Sequence, residues 1–219
     1  MTTQPGYTTG RARRSEIIQI ATRLFGEQGF NATTLLGIAQ ECGISRAGLS
    51  HHFPTKESLL EAVLETRDQE DLEQFRRNGS RDRDGLGILR GMIDLARYNS
   101  TVPGLIALYA LLSAEAASPT HPAHDYFVQR YDRIRRGTAR ALHRARDAGY
   151  LVRGVDPDTA ALELTALMDG LQLQWLLDPF AVDMVAVMTK RLQRLITVPL
   201  EGHSVSENAS DRPVETVVI

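Results

Sequence analysis

Apolar residues recur with the spacing of α-helices along almost the whole chain. From about Ser15 to Gln28, Ile17, Ile18, Ala21, Leu24 and Phe25 fall on one face, with Gly29 as the stop. Leu35, Ile38, Ala39 and Cys42 repeat at i, i+3, i+4 and i+7 after a hydroxyl cap at Thr33 or Thr34, and Gly43 ends that helix. Helix resumes after Ser45, with Leu49 and Phe53 marking its buried side. A fourth helix starts at Thr55 and runs to about Arg77, with Leu59, Leu60, Val63, Leu64, Leu72 and Phe75 as its apolar positions. The polar run from Asn78 to Gly85 reads as a loop.

Beyond Gly85 the spacing predicts helices over about Leu86–Tyr98, from Pro103 to before Pro119, over Pro122–Ala148, from Asp156 and Pro157 to about Leu177, and over about Ala181–Thr197. There is no strand alternation of useful length and no internal repeat. The expectation is an all-α fold of about nine helices. The divisions expected are a disordered N-terminus over residues 1–10, a three-helix unit over 11–57, a helical domain over 58–197 and a disordered acidic tail over 198–219. A three-helix unit is too small to be robust alone, so the later helices should brace it. The fourth helix alone belongs to both parts, which makes it the expected connection between them.

The stretch Thr33–Lys56 carries the chemistry. On the helix after Ser45, stepping about 100° per residue from the buried side places Ala47, Gly48, Ser50 and His51 outward, flanked by Arg46 and His52. Small residues allow close approach to base edges and the polar ones donate and accept there, as in a helix-turn-helix recognition element. An ordinary helical hairpin with a solvated face is the plainer alternative. Lys56 stands in the first turn of the fourth helix, an unfavourable end for a cation, and a DNA phosphate there explains it.

The run GISRAGLSHHFPTKESLL, preceded by RRSEIIQIATRLFGEQGF and TTLLGIAQECG, resembles the signature of TetR-type transcriptional regulators over roughly residues 11–60. The resemblance implies DNA contacts from Thr33 or Thr34, Ser45, Arg46, Ser50, His51, His52 and Lys56. Two positions depart from the pattern: Ser50 stands where tyrosine is common, and Gly37 occupies the middle of a helix. The serine lacks an aromatic contact to phosphate or methyl, and the glycine costs about 1 kcal/mol of local stability.

Charge alters the picture by its distribution. The net charge over 219 residues is −2, yet residues 1–57 carry +2 and the residues after Pro199 carry −3. Basic charge therefore gathers where counterion release aids DNA binding. Arg11, Arg13 and Arg14 precede the first helix, either as a solubilising terminus or as an arm to phosphates or the minor groove. No run of 18 apolar residues and no signal-peptide stretch is present, so a cytoplasmic protein without membrane partners is expected. Cys42, the one cysteine, reads as a small core residue.

In the second part, Met92, Tyr98, Leu105, Tyr109, Tyr126, Phe127, Tyr131, Met168, Gln172 and Trp175 suit a mostly apolar ligand site and equally suit a plain core. The family likeness implies a small-molecule effector there, which nothing in the sequence names. The segment 162–177 is apolar on more than one face, and the last helix has an apolar side. Leu173, Leu176, Leu177, Val185, Met188, Leu192, Leu195 and Ile196 are the candidates for a twofold dimer interface, the alternative being that both helices finish the monomer core. Seven arginines between Arg130 and Arg146 read as a solvated face, with an anionic ligand group as the sharper alternative. His121, His124 and Asp125 lack a further ligand, so no metal or other cofactor is expected.

Taken together, the expectation is a homodimeric, ligand-responsive regulator that binds a palindromic double-stranded DNA operator, a repressor being favoured. The rival is an all-α enzyme or carrier with an incidental helix-turn-helix, for which no nucleophile, base and orienting set appears.

Overall fold

The computed structural model describes residues 5–79 and 83–200. Among them are nine helices: α1 (Pro5–Ala32), α2 (Leu35–Glu41), α3 (Arg46–His52), α4 (Lys56–Gly79), α5 (Leu86–Asn99), α6 (Pro103–Glu115), α7 (His124–Asp147), α8 (Pro157–Leu177) and α9 (Met184–Gln193). The all-α expectation holds. Residues 1–4 and 201–219 of the two terminal segments expected to be disordered lie outside the described residues, as do the side chains of Leu72 and Phe75.

Several boundaries differ from expectation: α6 ends at Glu115 rather than just before Pro119, α7 starts at His124 rather than Pro122, and α9 starts at Met184 rather than about Ala181, besides those at the ends of α1 and at the end of α9. α1 begins at Pro5 rather than Ser15, so residues 5–10 are helical; proline suits a first turn, where its missing N–H has no partner to lose. At its other end the helical geometry breaks at Gly29, with φ 79°, and Phe30–Ala32 continue past the kink. α9 stops at Gln193, short of Thr197, because the next residues pair with another segment. Val152 N–H donates to the Leu195 carbonyl and Thr197 N–H to that of Tyr150, each at 2.8 Å. This forms an isolated antiparallel bridge between Leu151 and Ile196. The chain past α9 is thereby held, and Leu200 is buried with its carbonyl accepting from Arg90 Nε at 3.1 Å.

Two apolar cores organise the helices. One joins α5, the second half of α7, α8 and α9, around Leu89, Leu142, Leu164, Met188 and Leu192. The other joins α1–α4 to α6 and the start of α7, around Ile17, Phe25, Ile38, Leu49, Phe53, Leu59, Leu108, Leu112 and Phe127. Burying each such side chain contributes about 1.5–3 kcal/mol, so α6 adds several kcal/mol to a unit too small to stand alone. The bracing is therefore wider than the sequence suggested: α4 is not the sole connection, because Leu108 and Leu112 of α6, both fully buried, lie in the same core as α1.

Candidate nucleic-acid interface

The helix-turn-helix forms from local signals. Thr34 caps α2, its Oγ1 accepting from Gly37 N–H at 3.0 Å, and Ser45 caps α3 in the same way from Gly48 N–H at 3.0 Å. Between them Gly43, at φ 62°, turns the chain, and Ile44 N–H donates back to the Ala39 carbonyl at 3.0 Å. Ile38, Ala39, Cys42, Leu49 and Phe53 face the core, as their spacing predicts. Burial raises the Cys42 thiol above its ordinary value, which keeps it protonated. Thr55 and Ser58 cap α4 reciprocally, Ser58 N–H donating to Thr55 Oγ1 at 3.0 Å and Thr55 N–H to Ser58 Oγ at 3.2 Å.

Arg46, Ala47 and His51 are exposed on α3, and Gly48, Ser50 and His52 are half-buried beside them. Arg46 hydrogen-bonds to Ser50 Oγ, and the rings of His51 and His52 meet edge-on at 5.6 Å. Donors and acceptors therefore stand together on one outward face of a capped helix. Nearby on α1, Arg13 pairs with Glu16 at 2.8 Å and the Arg14 guanidinium lies 4.6 Å over the Phe53 ring, while Arg11 is exposed.

Two sequence-derived contacts need correction. Thr33 is buried, and its hydroxyl donates to the Gly29 carbonyl at 2.7 Å, so it locks the kink of α1 and leaves capping to Thr34. Lys56 does not need a phosphate to explain it. Its Nζ donates to the carbonyls of Phe30 at 2.8 Å and Thr33 at 3.0 Å and lies 4.3 Å from the centre of the Phe30 ring. The ammonium stands at the start of α4 in sequence but at the C-terminal end of α1 in space, where a cation is favourable. Replacing Lys56 with alanine is expected to lower stability by about 1–2 kcal/mol, as charged hydrogen bonds are lost, with the salt dependence of DNA binding unchanged. Urea unfolding and a salt titration separate the two; a flatter salt slope at unchanged stability would return Lys56 to the phosphates.

In the second part eight of the ten candidate pocket residues fall into two groups. Met92, Met168 and Trp175 are buried in the core of α5 and α7–α9. Leu105, Tyr109, Tyr126, Phe127 and Tyr131 pack against the core shared by α1, α4 and α6. Tyr98 and Gln172 are half-buried. Tyr109 and Tyr126 join a polar cluster that sequence reading missed because its members are far apart in the chain. Tyr126 donates to Asp68 Oδ1 at 2.7 Å and its hydroxyl lies 3.1 Å from that of Tyr109. Arg130 and Arg133 each pair with Asp68 at 2.9 Å, and Arg130 lies 4.5 Å over the Tyr109 ring. Burial, with Tyr109 beside it, raises the Tyr126 phenol; burial, with Asp169 beside it, pushes Tyr131 up to about 12. Both hydroxyls therefore remain protonated donors. Arg130, assigned to a solvated face, is instead half-buried and fastens α7 to α4, while Arg133 stays exposed on that face and pairs with Asp68 from it.

The expected dimer residues also divide. Met188, Leu192, Leu195 and Ile196 are buried inside the chain's own core, because the apolar side of α9 packs on α5, and this excludes them from a surface interface. Leu176 and Val185 are half-buried against that core. Leu173 and Leu177 are 54% and 80% exposed, and Leu162, Val187 and Phe180 join them on the surface of α8, α9 and the turn between. Leu162, Ala166, Leu173 and Leu177 follow helical spacing along α8, a pattern visible in the sequence but obscured by the apolar residues on its other faces.

Known regulators share this architecture. The family model described as bacterial regulatory proteins, tetR family, matches residues 17–63, and that described as BetI-type transcriptional repressor, C-terminal, matches residues 106–197. The HTH-type transcriptional regulator TtgR of Pseudomonas putida is 30% identical over 184 residues, covering 81% of this chain and 86% of its own. PksA of Bacillus subtilis is 25% identical over 196 residues, covering 89% and 91%. Among solved structures, the SmeT–triclosan complex superposes with a TM-score of 0.72 at 22% identity, covering 92% of this chain and all of that one. A regulator from Saccharomonospora viridis in complex with choline gives 0.70 at 22% identity, covering 84% and 98%. A capped helix-turn-helix braced by a helical second domain, and sequence likeness across both parts, show that the chain belongs to the TetR family of DNA-binding transcriptional regulators.

Proposed function

We propose that the protein acts as a homodimeric repressor that leaves a palindromic operator when a small-molecule effector binds its second domain. The observation that carries the DNA half is the outward face of α3, where Arg46, Ser50, His51 and His52 stand together on a helix fixed by Ser45 at one end and Phe53 at the other. Support for the dimer comes from the exposed apolar stripe of α8, which a second copy would bury. Support for the effector comes from the aromatic cluster around Tyr109, Tyr126, Phe127 and Tyr131, and from relatives whose structures hold triclosan or choline. No described helix is long and apolar enough to cross a membrane.

The test is binding of the full chain to the DNA upstream of its own gene, against an unrelated fragment of equal length, across a salt series. Selective, salt-sensitive binding by an even number of chains is expected; equal weak binding to both fragments would overturn the reading. Replacing His51 with alanine is expected to cost about 1–3 kcal/mol on the preferred site and to relax base preference at one position of each half-site. Selection from a randomised operator library reads that change. A uniform loss across sequences would move His51 from base edges to phosphates.

A further inference from the structure

The kinked end of α1 is gripped from both sides by charged groups from other helices. Glu115, the last residue of α6, accepts from Phe30 N–H through Oε2 at 2.8 Å and from Asn31 through Oε1, from Nδ2 at 3.2 Å and from N–H at 3.4 Å. Lys56 of α4 donates to the Phe30 and Thr33 carbonyls of the same turn. An anion thus takes the N–H groups and a cation takes the carbonyls, immediately before Thr34 opens α2. The approach is close: a Cβ placed on Gly29 would lie 2.7 Å from Glu115 Oε1.

A second group at this junction, His121, has one ring nitrogen without a hydrogen bond. The His121 side chain is 4% exposed, and its Nδ1 accepts from Ala123 N–H at 3.1 Å, so the neutral ring carries its proton on Nε2. Burial lowers the His121 imidazole below its ordinary value, which favours that neutral ring. Nε2 is buried without a hydrogen bond, and Glu115 Oε2 lies 4.0 Å away, while the ring packs edge-on against Phe30 at 5.1 Å. An unpaired buried donor is uncommon and costly. The carboxylate would satisfy it by moving about an ångström, the excess over an ordinary hydrogen-bond length, and would then slacken its hold on Phe30.

We infer that Glu115 is a positioning residue for operator recognition, a latch through which α6 sets the pose of α2 and α3, with His121 as its alternative partner. This rests on the regulator reading proposed above and goes beyond it by placing a route of coupling on α6, in addition to α4. The Glu115 carboxylate holds the turn that orients the reading helix. A rearrangement of α6 or of the Glu115–Tyr126 segment moves that turn directly.

The test uses Glu115→Ala, Glu115→Gln and His121→Phe in the full chain, with active fractions fixed by stoichiometric titration. On the upstream DNA fragment Glu115→Ala is expected to bind about tenfold more weakly, the effect of losing charged hydrogen bonds, with the salt slope unchanged and the unrelated fragment bound within about twofold of wild type. Glu115→Gln, which keeps an oxygen for Phe30 N–H, regains at least half of that loss on a logarithmic scale. His121→Phe keeps the ring against Phe30 but removes the competing donor, and binds at least as tightly as wild type. Equal loss on both DNAs, no loss, a glutamine as weak as alanine, or weaker binding by His121→Phe overturns the inference. Amide hydrogen exchange tests the latch without DNA. Exchange at Phe30 accelerates about tenfold in Glu115→Ala while Gly37, capped by Thr34, is unchanged. Unchanged exchange at Phe30 overturns the latch even if the protein binds its operator; a wild type with no preference for the upstream fragment refutes the regulator reading alone.

Discussion

Replacing both Leu173 and Leu177 with arginine is expected to give a folded monomer that binds a two-half-site operator more than about a hundredfold more weakly. Both side chains lie on the outer stripe of α8, 54% and 80% exposed, so within one chain they contribute little and their loss should change stability by no more than about 0.5 kcal/mol each. In a dimer they would be desolvated at the twofold axis, where four guanidinium groups would face one another unpaired. A monomeric chain retains one reading helix, and the second half-site no longer benefits from tethering. Sedimentation and operator titration together decide the matter. A variant that remains dimeric, with operator affinity intact, would show that the exposed stripe of α8 serves some other contact. Substituting Met188 or Leu192 would not be informative here, because both are fully buried in the chain's own core and truncating either would cost about 2–5 kcal/mol of stability whatever the oligomeric state.

The second large effect is expected at Gly85, which opens α5 with φ 81°. A Cβ there would lie 2.1 Å from the Ala141 carbonyl oxygen on α7, a contact with backbone that no side-chain rotation relieves. Gly85→Ala is therefore expected to destabilise the chain by about 3 kcal/mol or more, combining left-handed strain with overpacking. Gly154→Ala isolates the strain alone. Gly154 has φ 89° but open space where a Cβ would go, so its loss should cost only about 1–2 kcal/mol. Urea unfolding of the two variants reads the difference, and equal costs would mean that α5 does not meet α7 this closely.

Much of this architecture was legible in the residues. The caps at Thr34, Ser45 and Asp156, the stop at Gly43 and the faces of α1, α2 and α3 are local features, and local features leave periodic traces. The recognition face followed from two buried positions, Leu49 and Phe53, because a short helix has few orientations that bury both. Lys56 defeats a sequence reading for a physical reason. Sequence proximity places its ammonium at the start of α4, whereas a long flexible stem carries it to the C-terminal carbonyls of α1.

Periodicity also could not divide the apolar surface of α8 and α9 between the chain's own core and a partner. Both uses demand the same residue types at the same spacing, and only the packing of α9 on α5 and α7 on α8 shows which leucines remain outside. The polar ties lay beyond reach for a different reason. Asp68 meets Tyr126, Arg130 and Arg133 across about sixty residues, and Glu115 meets Phe30 across eighty-five. Single carboxylates at such separations leave no pattern in a sequence. The sequence by itself determined the helices, their caps and the reading head, because these depend on neighbours within a turn or two. Only the tertiary structure decided which residues brace that head, which leucines remain on the surface and which charges join the two parts, because these depend on where whole helices come to rest.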